Sequence, residues 1–141
     1  MSELNLNKVI FVPACEPPLK NKKELLPAPL RLKLLKAALR REPRFSISLC
    51  EIKRKGVSYT VDTLKFFKKT FGNAAQLYFL CGADTVKNLP RWKSRREIFK
   101  LCHFVVAARP GFRVKKLPPG AIHLPFDALP VSSTLIRKIG R

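Results

Sequence analysis

The 141-residue sequence has few acidic residues, almost no histidine and no long hydrophobic run. It holds 29 Lys and Arg against 9 Asp and Glu, with only 2 His, for a net charge of +20. Its four cysteines form no CxxC pair, which disfavours a zinc site or disulfide framework and predicts reduced thiols. No apolar run reaches the ~18–20 residues of a membrane helix, and the start lacks a signal-peptide core. A single-domain cytoplasmic protein with no membrane partner is expected.

The excess of basic residues predicts an anionic partner. Nucleic acids, nucleotides and free phosphates all fit, and charge alone does not choose between them. Part of the charge lies on predicted helix faces such as RLKLLKAALRR and KSRREIFK, where a solvated surface is the plainer interpretation. The sequence has no RNP motif, zinc finger or RGG repeat, so sequence-specific nucleic-acid binding is disfavoured.

Strand-like and helix-like segments alternate along the chain, which predicts an α/β fold with a parallel sheet and flanking helices. The predicted strands cover 8–13, 44–52, 76–84, 103–111 and 121–126, and the predicted helices about 29–41, 58–70, 94–101 and 132–140. Ligands of such sheets lie beyond the carboxyl ends of the strands. The segments VPACEPPLK, CGAD and ARPG lie at the carboxyl ends of predicted strands, so they are expected to share one site.

Three helices carry patterns that predict their packing and their starts. The first should bury the stripe Leu30, Leu34, Leu35, Ala38 and Leu39, and the second should bury Val61, Leu64, Phe67 and Phe71. Ser58 or Thr60 could cap the second helix. The segment SRRE at 94–97 has the form of a capping box for the third.

The segment VSSTLIR has the features of a phosphate site. Ser132, Ser133 and Thr134 open a predicted helix, whose first N–H groups lack partners and whose dipole is positive at that end. Arg137 lies four residues after Ser133, on the same helix face. The alternative is an ordinary helix cap with a surface arginine.

Two further segments could contact a nucleotide. In CGAD, Asp84 could accept hydrogen bonds from a ribose diol, and Gly82 would let a ligand approach the backbone. Trp92 in LPRW could stack on a flat ring. The alternatives are a strand-to-helix cap for the first segment and a core-filling side chain for the second.

Together the ordered blocks KVIFVPACEPPLK, SYTVDTL, LYFLCGAD, LPRW, HFVVAARPG and VSSTLIR resemble the bacterial nicotinate-mononucleotide adenylyltransferases. The resemblance runs from about Lys8 to Arg137, and SYTVDTL and SSTxxR are its most specific parts. It implies a Rossmann-like nucleotidyltransferase domain. It also implies adenylyl transfer from ATP to nicotinate mononucleotide, with Mg²⁺ entering with ATP and pyrophosphate leaving. A homo-oligomer is compatible with this family.

The resemblance also implies residue roles. Arg137 would be the catalytic residue retained here and would bind ATP phosphates with Ser132, Ser133 and Thr134. Gly82 and Asp84 would hold the adenosine ribose. Nicotinate mononucleotide would be bound by Lys20, Tyr59, Thr60, Trp92 and Arg109, with Trp92 stacking on its ring and Tyr59 and Thr60 acting largely through backbone N–H groups.

The sequence departs from the family in one motif above all. The family's first strand ends in GxFxPxHxGH, which nothing here matches, and the only histidines, His103 and His123, are expected to be structural or surface residues. The family's PPHK is PPLK here, so Leu19 removes a polar contact. We therefore expect a sheet without its first strand and a domain truncated at both ends.

Three other functions stay open from the sequence. A non-catalytic nucleotide-binding remnant would bind ATP without turnover. A basic nucleic-acid-binding module would bind RNA or DNA with a steep dependence on salt. A pantetheine-phosphate adenylyltransferase is the weaker alternative, because it would not explain SYTVDTL or LPRW.

Overall fold

The computed structural model of the protein describes residues 4–108 and 115–125. The chain divides into two compact units, Met1–Asn73 and Ala74–Arg141. Each unit has its own parallel sheet with helices beside it, which confirms the predicted α/β class. Across both described ranges, the helices all fall short of the length and apolar character that spanning a bilayer requires.

The first unit is built on two short parallel strands. Val9 of β1 pairs with Phe45 of β2 and Phe11 with Ile47, and the Phe11 and Phe45 rings meet edge to face at 5.3 Å. Parallel neighbours require a crossover connection, which α1 supplies. The elements are β1 (Val9–Phe11), α1 (Ala28–Leu39), β2 (Phe45–Ile47), α2 (Cys50–Arg54) and α3 (Thr60–Phe71), with a 3-10 turn at Lys22–Glu24.

Helix α1 does not bury the stripe that the sequence predicts. It has no buried residue, and Leu30 and Leu34 are 42% and 54% exposed. Ala38 is exposed too, while Leu35 and Leu39 are half-buried. The helix packs on β2, and two strands of three residues each offer too little surface to cover a whole stripe. The prediction of a buried stripe is therefore wrong, since three of its residues are exposed and the other two are only half-buried.

Helix α3 follows its predicted pattern more closely. Val61, Leu64 and Phe67 are buried, as their helical spacing predicts. Phe71, the last residue of the helix, is instead exposed, with its ring stacked on Phe67 at 5.8 Å. The helix thus buries its first two turns and leaves its end in solvent.

The predicted strand 44–52 is only partly extended. Residues 45–47 form β2, whereas Cys50 already begins α2. The N–H of Ser48 still donates to Phe11 O at 2.9 Å, but its hydroxyl accepts from the N–H of Cys50. A serine side chain that bonds to nearby backbone favours a turn over continued strand, which explains the early end.

The second unit is built on three parallel strands in the order β3-β4-β5. Tyr78 pairs with His103 and Gly82 with Ala107. The central strand β4 carries the core of this unit, because Phe104, Val105 and Val106 are fully buried. The elements are β3 (Tyr78–Gly82), α4 (Ala83–Val86), α5 (Arg95–Leu101), β4 (His103–Ala107) and β5 (Ile122–Leu124), with a 3-10 turn at Leu89–Arg91.

Each sheet has a strand that pairs on one side only. Among the described residues, β1 pairs with β2 alone and β3 with β4 alone. On β3, the side chain of Leu80 is 52% exposed. Strand edges of this kind are where a further strand could pair.

Candidate functional site

The carboxyl end of β3 places Gly82 directly against the carboxylate of Asp84. Gly82 ends the strand and precedes α4, whose first turn contains Asp84. A Cβ atom on Gly82 would lie 2.6 Å from Asp84 Oδ1, closer than real Cβ contacts. The backbone φ of Gly82 is −80°, so any residue could adopt it. Glycine therefore leaves room for the carboxylate, which a side chain at this position would displace.

The thiol of Cys81 lies beside this corner and is held neutral. Burial raises the pKa of Cys81 to about 12, and the charges of Asp84 and Cys102 act in the same direction. A thiol with this pKa carries almost no thiolate at neutral pH. Cys81 is thus no nucleophile for the chemistry of this site. The four cysteines of the chain are free thiols.

Trp92 is anchored by an aromatic cluster. It follows the 3-10 turn, and its backbone N–H donates to Leu89 O at 3.0 Å. Its ring meets Phe79 at 5.7 Å and Phe104 at 6.2 Å, both edge to face. The core-filling alternative therefore holds in part. The ring is only half-buried, so it is rigidly held while still reachable from solvent.

The start of α3 is not capped as the sequence predicts. Tyr59 is the N-cap residue and makes no cap hydrogen bond with its side chain. The Ser58 hydroxyl instead accepts from the N–H of Cys15 at 2.9 Å, and Ser58 N–H donates to Glu16 O at 2.9 Å. The capping prediction for Ser58 or Thr60 is wrong, because Ser58 bonds to a segment 43 residues earlier. The side chain of the N-cap residue therefore does not satisfy the first N–H groups of α3.

A buried polar network behind this helix start was missed by the sequence reasoning. Glu51 and Thr63 are 8% and 7% exposed. The Thr63 hydroxyl donates to Glu51 Oε1 at 2.5 Å, and Arg54 Nη2 donates to Thr63 Oγ1 at 3.1 Å. These bonds join α2 to α3 and so fix the direction in which α3 starts. A signal was present in the sequence, since Glu51 is one of only 9 acidic residues.

Lys20 is exposed and lies shortly after the adjacent prolines Pro17 and Pro18. Leu19 beside it is 40% exposed, so its side chain is not used in a core. The nearby Lys22 Nζ lies 2.8 Å from Glu16 Oε2, and this hydrogen bond raises the pKa of Lys22. Lys22 is therefore paired with Glu16.

The predicted site residues that the structure describes are divided between the two units. Gly82, Asp84 and Trp92 belong to the second unit, where Gly82 and Asp84 touch; Lys20, Tyr59 and Thr60 belong to the first. The remaining predicted site residues lie outside the described residues: Arg109, Ser132, Ser133, Thr134 and Arg137.

Three other predictions can be placed. His103 begins β4, exposed, with its ring stacked on Tyr78 at 4.7 Å, and His123 is exposed on β5. Ser94 precedes α5 as expected, but its φ is 52° and its side chain makes no cap hydrogen bond. The hydrogen bond that the serine oxygen would accept in a capping box is therefore not formed. In residues 4–108 and 115–125, no group of three His, Cys, Asp or Glu could hold a metal ion.

Comparison with known proteins gives one consistent picture. The cytidylyltransferase-like family model matches residues 1–139. A protein of Thermoanaerobacter sp. (strain X514), named "Probable nicotinate-nucleotide adenylyltransferase", is 41% identical over 148 residues, covering 97% of this chain and 70% of the relative. A protein of the same name from Moorella thermoacetica is 38% identical, covering 96% of this chain and 67% of the relative.

A third relative with that name, from Clostridium botulinum (strain Hall), is 45% identical over 116 residues. That match covers 82% of this chain and 57% of the relative. The chain thus spans between 57% and 70% of the length of these curated relatives. The matches confirm the resemblance that the ordered sequence blocks predict.

Proposed function

The chain belongs to the cytidylyltransferase-like family, and from that membership we propose that it transfers the adenylyl group of ATP to nicotinate mononucleotide. The products are nicotinate adenine dinucleotide and pyrophosphate, a step of NAD biosynthesis. The observation that carries the proposal is the 41% identity to a relative of that name over 97% of the chain. The same matches do not favour a pantetheine-phosphate adenylyltransferase, a binding remnant or a nucleic-acid-binding module.

The reaction needs no covalent intermediate on the protein. A phosphate oxygen of nicotinate mononucleotide forms a bond to the α-phosphorus of ATP, and the bond from that phosphorus to the β-phosphate oxygen breaks. The electron pair leaves with pyrophosphate. ATP arrives with Mg²⁺, which offsets part of the phosphate charge. The protein's task is to align two anions and stabilise the charge of the transition state.

The geometry of the second unit supports a role in holding the adenosine. The Asp84 carboxylate is fixed at the carboxyl end of a parallel strand, the position where such sheets bind ligands. We assign it to the ribose hydroxyls, with Gly82 allowing its position. Trp92, half-buried and anchored on Phe79 and Phe104, would stack on the nicotinate ring.

The geometry of the first unit supports a role for the start of α3. We assign the backbone N–H groups at Tyr59 and Thr60 to the nicotinate carboxylate, because a helix N-terminus favours an anion and Thr60 is the first residue of α3. Lys20, an exposed residue of the same unit, is assigned to a substrate phosphate. Arg109 is assigned to the same substrate.

The ATP phosphates are assigned to Ser132, Ser133, Thr134 and Arg137, with Arg137 as the catalytic residue. We also propose that the chain acts as one nucleotidyltransferase domain, since a single family model spans both units. A cytoplasmic location is part of the proposal, because ATP is the substrate and all four cysteines are free thiols.

The test is direct. The purified chain is incubated with Mg-ATP and nicotinate mononucleotide, and dinucleotide formation is followed by chromatography. Product that falls by roughly 100-fold or more in Arg137→Ala is expected, since each lost transition-state contact costs about that much. Glu42→Gln, which also changes one charged surface residue, should leave the rate unchanged.

A folded chain that binds ATP but gives no product would contradict adenylyl transfer and favour the binding remnant. Salt-sensitive RNA or DNA binding that ATP does not displace would favour the nucleic-acid module. Product unaffected by Arg137→Ala would point to a contaminating host enzyme.

A further inference from the structure

A groove on the second unit has no use in the proposed reaction. Its volume is about 590 Å³, within the ~300–1,000 Å³ typical of small-molecule sites. It lies between α5, the end of α4 with the following 3-10 turn, and the segment 116–119. None of Gly82, Asp84 and Trp92 lines it. The groove is therefore a separate feature of this unit.

The floor of the groove is apolar and mostly aliphatic. The apolar lining residues are Val86, Leu89, Pro90, Leu117, Pro118 and Pro119, together with Phe99. Phe99 is the one aromatic residue of the floor, and its ring is already stacked on Phe104 at 4.9 Å. Single-stranded nucleic acid is held by several aromatic surfaces that stack on bases, and this floor does not supply them. It fits an aliphatic body instead.

The rim of the groove carries charge of one sign. Arg95, Arg96, Lys100 and Lys116 are all exposed, and no carboxylate lines the groove. Among residues 4–108 and 115–125, none of these four cations lies within ion-pair distance of an acidic group. Arg96 and Lys100 are four residues apart on α5, so they face the same side and repel each other. The rim thus keeps several cations available for a ligand from outside.

Charge also limits what the occupant can be. Residues 109–114 contain Arg109 and Arg113 and no acid, and residues 126–141 contain one acid against three basic residues. A second copy of the chain would bring its own net charge of +20. Each of these occupants would place cations beside cations. An external anion is the occupant that the rim attracts.

We propose that this groove binds a small organic anion with an aliphatic body and a phosphate or carboxylate group. The aliphatic part lies on the floor and the anionic group lies between the cations of α5 and Lys116. The proposal is independent of adenylyl transfer, since it uses other residues.

Octyl phosphate is a suitable probe, and its binding to the full chain can be measured by isothermal titration calorimetry. Arg96→Gln with Lys100→Gln should weaken binding about tenfold, because two partly solvated ionic contacts are lost. The matched control is Lys36→Gln with Arg40→Gln, also one Lys and one Arg four residues apart on an exposed helix face. It should change the Kd by less than about twofold. Octanol and inorganic phosphate should each bind at least about tenfold more weakly than octyl phosphate.

Several outcomes would overturn the proposal. If both double variants weakened the binding of octyl phosphate equally, the effect would be one of general charge. If neither variant weakened the binding of octyl phosphate, the probe would bind outside this groove. Displacement of octyl phosphate by Mg-ATP with nicotinate mononucleotide would place it in the catalytic site. Lys116→Gln, in a segment outside helices and strands, gives a second test that should weaken binding about threefold. A chain inactive in adenylyl transfer would still bind the probe, so the two proposals fail separately.

Discussion

Replacing Gly82 by alanine should damage function far more than stability. The new Cβ would lie 2.6 Å from Asp84 Oδ1, whereas ordinary contact begins at 3.4 Å, so the carboxylate must move by about 0.8 Å. The atom that moves is the far end of a side chain, not backbone. The backbone conformation at Gly82 suits alanine, with φ −80°. The whole effect should therefore pass through Asp84.

The two costs can be estimated separately. Turning Asp84 away from its preferred rotamer costs roughly 0.5–1.5 kcal/mol of folding free energy. For a chain of this size, that lowers the Tm by roughly 2–6 °C. A displacement near 1 Å of a substrate-positioning group can cost about 100-fold in rate. We expect kcat/KM for ATP to fall by roughly 10- to 100-fold.

The assay is steady-state dinucleotide formation, with a thermal melt of each variant. A double-variant cycle with Asp84→Asn tests whether Gly82→Ala lowers kcat/KM through the Asp84 carboxylate. If Gly82→Ala acts through the carboxylate, it should change kcat/KM by less than about threefold once Asp84 is Asn. Equal losses in both backgrounds, or no loss in the single variant, would refute the reasoning. Direct ATP binding gives the same comparison if turnover is slow.

Two further predictions concern buried groups. Thr63→Val should lower the free energy of unfolding by roughly 1–3 kcal/mol in urea titrations, because Glu51 loses a buried hydrogen bond. Thr70→Val, on an exposed part of the same helix, should change the free energy of unfolding by less than about 0.5 kcal/mol. If both variants lost the same stability, the buried hydrogen bond between Thr63 and Glu51 would not be the cause. Cys81, in a chain whose other cysteines are serine, should resist alkylation until the pH approaches its pKa of about 12. Asp84→Asn should lower the pKa of Cys81, because it removes a nearby negative charge. Rapid alkylation of the folded chain at pH 8 would contradict the burial of the Cys81 thiol.

Local patterns predicted the elements that depend on neighbours in sequence. The spacing of Val61, Leu64 and Phe67 predicted the buried face of α3, and the apolar run at 103–107 predicted the strand that forms β4. Turn residues and strand runs also placed Gly82 and Asp84 at the end of β3. These features follow from periodicity and local backbone preference.

Long-range contacts decided what the sequence could not predict. Ser58 looks like a helix cap, but its hydroxyl bonds to Cys15, 43 residues away. Glu51 looks like a polar residue of an alternating strand, but it lies buried on α2 against Thr63. Leu34 looks like a core residue, but β2 is too short to cover it. In each case the residue's role depends on the residues it contacts in the fold and not on the local sequence pattern.

The two sheets differ in how deeply their strands are buried and in how many strand positions are paired, and this difference affects local unfolding. The amides of β4 lie between two hydrogen-bonded neighbours and behind fully buried side chains. The strands β1 and β2 have no buried residue and three paired positions. Hydrogen exchange should therefore be slowest in β4 and fast in β1 and β2, because opening free energies follow local burial. Mild warming would then loosen the β1–β2 sheet while the corner formed by Gly82 and Asp84 stays intact.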